Sequence, residues 1–185
     1  MREYYKMTIA GLERELPICP VNEKLDIAGF IMFSDVELTV KTAEELIKKS
    51  PEFDVIITAE SKGIPLAYEM ARQSGVKYIV ARKGLKLYMT DPIEIKLKSI
   101  TTEAEQKLYL SSSDCADLKG KRVLIVDDVI STGESLAAME ALVKAVGGNI
   151  VAKMAVLAEG EAATRDDIIY LEKLPLFNGK GEIIL

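Results

Sequence analysis

The chain has 185 residues, 49% hydrophobic and 29% charged, with a net charge of −5 and no histidine. This is the composition of a soluble globular domain large enough for a full core, and no apolar run is long enough to span a membrane. It excludes Ser-His and Cys-His nucleophilic catalysis and histidine-held metals, and its negative balance argues against non-specific nucleic-acid binding, so an anionic substrate must be held by local donors.

Residues 1–35 lack a strong period and contain Pro17 and Pro20; they read as a small N-terminal hood. Met1-Arg-Glu-Tyr-Tyr-Lys6 lacks the apolar stretch of a signal peptide. Cys19 and Cys115 are too isolated for a disulfide framework or a zinc site, so both are expected to be reduced thiols of a cytoplasmic protein, with Cys115 in a loop. Thr42-Ala-Glu-Glu45 has the form of a capping box, with Ala43, Leu46 and Ile47 in a helical stripe that ends at Pro51.

Asp54–Ala59 reads as a buried strand running into Glu60-Ser-Lys-Gly63. A helix over 64–74 follows, with Pro65 in its first turn and Gly75 after its end. Val76–Ala81 is a further strand, ending at Arg82-Lys83-Gly84. Residues 84–106 are polar and aperiodic and predict a long mobile loop, with a return strand over 106–111. Another strand begins at Val123, and Leu136, Met139, Leu142 and Val146 mark the buried face of a helix closed by Gly147-Gly148. Strands over 150–158 and 167–171 complete the chain. Such alternation predicts an α/β fold: one domain over 1–185 with a doubly wound, mostly parallel sheet.

The most informative stretch is Val123-Leu-Ile-Val-Asp-Asp-Val-Ile-Ser-Thr-Gly-Glu-Ser135. Its apolar, β-branched start reads as a strand buried on both faces. Asp127 and Asp128 then stand at the strand's carboxyl end, where open α/β sheets bind their ligands. Paired carboxylates can accept hydrogen bonds from vicinal sugar hydroxyls, and Ser131, Thr132 and Gly133 at a helix start offer hydroxyls and amides to a phosphate. Together they describe a site for a ribose 5-phosphate. A receiver domain also carries paired acids after an apolar strand, but near its start, whereas only 57 residues follow Asp128, too few for a domain of roughly 100 residues. Neither G-x-x-x-x-G-K-[ST] nor G-x-G-x-x-G occurs.

This stretch resembles the signature of the type I phosphoribosyltransferases, which bind 5-phosphoribosyl-1-pyrophosphate. The likeness covers most of the chain from about Phe53 and is strongest to the purine branch. Glu60-Ser-Lys-Gly63 is similar to the pyrophosphate loop of adenine phosphoribosyltransferases, which implies that the amides of Ser61, Lys62 and Gly63 hold the leaving group. A cationic pair such as Arg82-Lys83 meets pyrophosphate in that family. The closing Asn178–Leu185 resembles archaeal-type hypoxanthine/guanine enzymes, while Ile31-Met-Phe-Ser-Asp-Val36 resembles the I-x-F-R-D-I of adenine enzymes with Ser34 at the arginine position. Ser131 stands where other hypoxanthine-guanine enzymes carry an aspartate base.

The resemblance implies a Mg2+-dependent purine phosphoribosyltransferase, with adenine as the first choice of base and hypoxanthine, guanine or xanthine as alternatives. A sensor that binds phosphoribosyl pyrophosphate without catalysis is the reading from another class. Asp127 and Asp128 would orient the ribose, with Mg2+ held mainly through the substrate. Ser131, Thr132, Gly133, Glu134 and Ser135 would form the 5′-phosphate loop, the Glu134 carboxylate favouring the helix dipole and pointing away. Glu103, an approximate match to the family's acidic loop residue, and Glu105 are candidates to accept the purine proton. The partners implied are the sugar pyrophosphate, a purine base and a second copy of the chain, with no nucleic acid or membrane.

Overall fold

The structure, a computed structural model, describes residues 4–98 and 105–184. Its N-terminal part is more regular than the sequence suggested: β1 (Tyr4–Ile9), β2 (Leu12–Asn22) and β3 (Leu25–Ala28) form an antiparallel meander. Ala10 and Gly11, with φ of +51° and +80°, make the tight turn between β1 and β2. Pro17 and Pro20, expected to break this region, lie within β2. Pro17 stands at the end of the β1 ladder opposite Tyr4, and Pro20 beside a register shift against β3. Strand ends and bulges are where a missing amide is tolerated.

Helix α1 (Val36–Lys49) starts six residues before the apparent capping box. Its N-cap is Asp35, whose carboxylate accepts the Leu38 amide at 3.1 Å. Thr42 is fully buried inside the helix, and its hydroxyl donates back to the Leu38 carbonyl at 2.8 Å. A threonine three residues before a glutamate can thus imitate a cap while serving the helix interior. Arg14 of β2 holds Asp35 at 2.7 Å and Glu37 at 2.9 Å, pinning the meander to the start of α1.

The chain continues through β4 (Val55–Ala59), α2 (Ile64–Ser74) and β5 (Lys77–Ala81), close to the expected bounds. Gly75 closes α2 in the left-handed conformation at φ +71°. The segment expected to be one long loop instead contains an antiparallel ribbon of β6 (Ile93–Lys98) and β7 (Glu105–Leu110). Leu108 and Leu110 are buried, so the ribbon is anchored in the core. Cys115 lies in a short helix, α3 (Ser112–Leu118), capped by Ser111 and Asp114, and not in a loop. Then come β8 (Arg122–Ile130), α4 (Glu134–Ala145), β9 (Asn149–Glu159), a 3-10 turn (Gly160–Thr164), β10 (Ile169–Leu174) and β11 (Leu176–Phe177). β10 begins two residues later than expected and runs three further.

The main sheet has five parallel strands in the order β10-β9-β8-β4-β5. Alternate residues of each strand enter different cores. Ile57, Val123 and Ile125 pack with Leu142 of α4, Leu110 of β7 and Leu118 of α3. Ile56, Leu124 and Val126 pack with α1, α2 and the meander, through residues such as Leu46, Met70 and Ile9. Coverage of both faces explains why these strands read as unbroken apolar runs. Each buried aliphatic side chain contributes roughly 1.5–3 kcal/mol. β11 pairs with β3, so the C-terminal segment completes the N-terminal sheet.

Candidate functional site

The chain leaves β4 through α2 to β5 on one side of the sheet, and leaves β8 through α4 to β9 on the other. The strand order therefore reverses between β4 and β8, and such switch points open a crevice at the strands' carboxyl ends. The loops 60–63 and 131–135 flank that crevice from its two sides.

Asp127 and Asp128 meet there, although β8 runs on to Ile130 and does not end at them as the sequence suggested. Asp127 is half-buried, and its Oδ1 accepts the Asp128 amide at 2.9 Å. Burial, and then the neighbouring Asp128 charge, push the Asp127 carboxyl up to about 8. Asp128 is only 3% exposed. Its Oδ2 lies 3.1 Å from Lys62 Nζ but off the hydrogen-bonding angle, so this buried oxygen has charge compensation without a hydrogen bond. A desolvated acid pair with an unused acceptor suits a ligand that brings hydroxyls or positive charge.

Ser131, Thr132, Gly133, Glu134 and Ser135 turn the chain from β8 into α4. A cavity of about 60 Å3 lies inside this turn, lined by residues that include Asp127, Ser131, Thr132, Gly133 and Ser135. Gly133, at φ +81°, is the N-cap and supplies no side-chain cap to the helix. Thr132 Oγ1 accepts the Glu134 amide at 3.5 Å. Amides of the first helical turn thus face a small polar hollow, the setting in which helix starts hold anions.

Across the crevice, Glu60, Ser61, Lys62 and Gly63 lead from β4 into α2. Gly63 is required by space: a Cβ there would overlap Thr58 Oγ1 and come within 2.9 Å of Asp127 Oδ1. This close approach locks the turn against the acids. Glu60 is committed to structure: it accepts the Lys83 amide at 3.0 Å and stands 3.5 Å from Arg82 Nη1. The Lys83 amide, before the nearby cations, holds its carboxyl below the usual range. Glu60 therefore couples Arg82 and Lys83 to the turn. Arg82 is itself fixed by paired backbone hydrogen bonds with Tyr109, at 3.0 and 2.8 Å.

Glu103 lies outside the described residues, so it is not placed relative to the site. Other groups at the crevice escaped sequence reasoning. Thr58 is fully buried beneath Gly63. Glu159 ends β9, half-buried, and burial raises its pKa while Lys62 opposes the rise. Position alone could have found Glu159, since it too stands at the carboxyl end of a central strand. Arg165, whose Nη1 would lie 2.7 Å from a Cβ on Gly133, carries no motif.

The phosphoribosyl transferase domain family matches residues 37–178. The hypoxanthine/guanine phosphoribosyltransferase of Methanothermococcus okinawensis is 30% identical over 94% of this chain and 98% of its own length. That of Methanotorris igneus is 34% identical over 94% and 99%. Among solved structures, adenine phosphoribosyltransferase from Thermoanaerobacter pseudethanolicus superposes with a TM-score of 0.65 and 25% identity, over 77% of this chain and 84% of that one. The chain belongs to the phosphoribosyltransferase family, in its type I purine branch.

Proposed function

We propose that this purine phosphoribosyltransferase uses the crevice between β4 and β8 to transfer ribose 5-phosphate from 5-phosphoribosyl-1-pyrophosphate to a 6-oxopurine, hypoxanthine or guanine. The carrying observation is the desolvated pair Asp127 and Asp128 set between two helix-start turns, 60–63 and 131–135. The names of relatives that match nearly the whole chain, and Ser34 in place of the arginine of the adenine pattern, move the preferred base from adenine to hypoxanthine or guanine.

In this reading the bond from the anomeric carbon to pyrophosphate oxygen breaks as a bond to the purine nitrogen forms, and the purine gives up a proton. Amides of Ser61, Lys62 and Gly63, with Arg82 and Lys83, stabilise the charge that builds on the leaving group. Asp127 and Asp128 hold the ribose hydroxyls and face the positive charge developing on the sugar. Amides and hydroxyls of Ser131 to Ser135 hold the 5′-phosphate, a remote group whose binding positions the reacting carbon. The orphaned Asp128 Oδ2 fits a Mg2+-bearing substrate. When bound, the ion would neutralise pyrophosphate charge. Glu103 or Glu105 accepts the purine proton. The chain works as a homodimer; the exposed Phe33, Val36 and Tyr68 are apolar surface for that contact.

Initial rates with adenine, hypoxanthine, guanine and xanthine, each with the sugar pyrophosphate and Mg2+, test the reading. The fastest monophosphate formation is expected with hypoxanthine or guanine. Preference for adenine overturns the base assignment. Binding of the sugar pyrophosphate without turnover of any base overturns the enzyme reading in favour of a sensor.

A further inference from the structure

Arg165 follows the Gly160–Thr164 turn. A Cβ built on Gly133 would lie 2.7 Å from its Nη1, so the guanidinium rests against the apex of the 131–135 turn. The fork is aimed: Nε and Nη2 donate to Asp167 Oδ1 and Oδ2, each at 2.8 Å, which leaves Nη1 at the glycine. Asp167 also accepts Lys153 Nζ from β9, and Lys153 stands 3.2 Å from Glu140 of α4. The network thus runs from the turn through Arg165, Asp167 and Lys153 back to the helix that the turn begins. Arg165, ahead of Lys153, holds the Asp167 carboxyl well below the usual range, so the network stays ionised at neutral pH.

This placement has a steric and an electrostatic consequence. The guanidinium occupies the space a side chain at 133 would need and closes it to movement of the turn. The crevice also holds the adjacent acids Asp127 and Asp128, with Lys62 beside Asp128 and near enough to Glu159 to oppose its raised pKa. A doubly charged phosphate beside these acids needs a cation, and Arg165 is the one against its turn. Arg165 is not among the residues lining the cavity, so its effect passes through the turn.

We propose that Arg165 is a positioning residue that fixes the 131–135 turn and supplies the positive charge behind it that lets the turn hold a 5′-phosphate. The proposal rests on the assignment of that turn to the phosphate. The test uses the full chain and Arg165→Ala and Arg165→Lys, titrated calorimetrically with ribose 5-phosphate and, separately, with inorganic pyrophosphate. Arg165→Ala should weaken ribose 5-phosphate about tenfold (~1.4 kcal/mol) and leave pyrophosphate within about twofold. KM for the sugar pyrophosphate should rise while kcat stays within about threefold, and Arg165→Lys should recover part of the loss. The affinity of the unsubstituted protein for ribose 5-phosphate should also fall more steeply with salt than that of Arg165→Ala. Unchanged ribose 5-phosphate affinity, or equal weakening of both ligands in both variants, overturns the proposal. No ribose 5-phosphate binding by the unsubstituted protein removes the phosphate assignment itself, and this inference with it.

Discussion

Replacing Asp127 by asparagine tests whether the acid pair is built at the expense of stability. Asparagine has the same shape, keeps an acceptor for the Asp128 amide now 2.9 Å from Oδ1, and adds no atom against Gly63. Only the charge is removed. The folded carboxyl is raised to about 8, first by burial and then by Asp128, whereas an unfolded aspartate titrates near ~3.9. Between those values the native chain holds a proton that the unfolded chain has lost. Wild-type stability therefore declines as pH rises through the window, by at most ~1.4 kcal/mol per pH unit. Partial exposure of Asp127 halves that slope or more, leaving at most ~1.4 kcal/mol between pH ~5.5 and ~7.5. For a domain of this size, 1 kcal/mol moves Tm by about 2–4 °C. The Tm of Asp127→Asn minus that of wild type should then grow by about 2–6 °C across the window and level off above about 8. Above about pH 8, where the wild-type carboxyl is ionised, the same variant should lose ~10²-fold or more in kcat/KM, because a negative charge beside a cationic transition state is gone. Melting curves at constant ionic strength and steady-state rates read both effects. A Tm difference that is flat in pH, or that shrinks as pH rises, would refute the burial argument, and near-normal turnover would refute the catalytic one.

Gly63→Ala should destabilise by about 1–3 kcal/mol in urea titrations and weaken pyrophosphate binding, since the new methyl group meets Thr58 and Asp127 with no free space; an unshifted midpoint contradicts this. Lys62→Met removes the cation beside the buried Asp128 oxygen. Because Lys62 also opposes the rise at Asp127, its loss should move the acidic limb of the pH–rate profile upward, and an unmoved limb means the cation is idle. Chelation of divalent ions should abolish turnover, with Mg2+ restoring it. Mg2+ should raise Tm only when the sugar pyrophosphate is also present, and a rise of several degrees with Mg2+ alone would mean that the protein holds the ion by itself.

Parallel, two-sided burial made the main sheet legible: strands such as Val55–Ala59 read as strands because every position is apolar or small. The acid pair and the two turns were legible because their chemistry is local in sequence. The N-terminal strands were not, since Pro17 and Pro20 signal breakage and only the ladder end and register shift make them tolerable. The return strand over 106–111 was legible and matches β7, but its partner β6 was hidden because its Lys- and Glu-rich sequence mimics a loop. Thr42 misplaced the start of α1 because one hydroxyl can serve either a cap or a helix interior. Arg165 could not be read at all: its contact with Gly133 spans 32 residues and follows only from where the 3-10 turn leaves the sheet.

The proposed function asks a chain of net charge −5 to hold a polyanion, and the helix starts offer a way. α1 and α3 are closed by side chains, Asp35 accepting the Leu38 amide and Ser111 forming a capping box with Asp114. α2 and α4, the helices that begin at the crevice, start at Gly63 and Gly133 with no side-chain cap. A serine, threonine or aspartate at a cap is worth ~1 kcal/mol over an apolar residue, so leaving two starts open forgoes stability that the other helices take. At Gly63 a side chain is barred by Thr58 and Asp127, and at Gly133 by Arg165 and the positive φ. Under the proposed function, space that excludes a side chain at these two glycines lets phosphate oxygens approach the first-turn amides and serve as caps when substrate binds. In that reading the anion is met by backbone donors on opposite sides of two acids, and the overall charge of the chain has little influence on that contact.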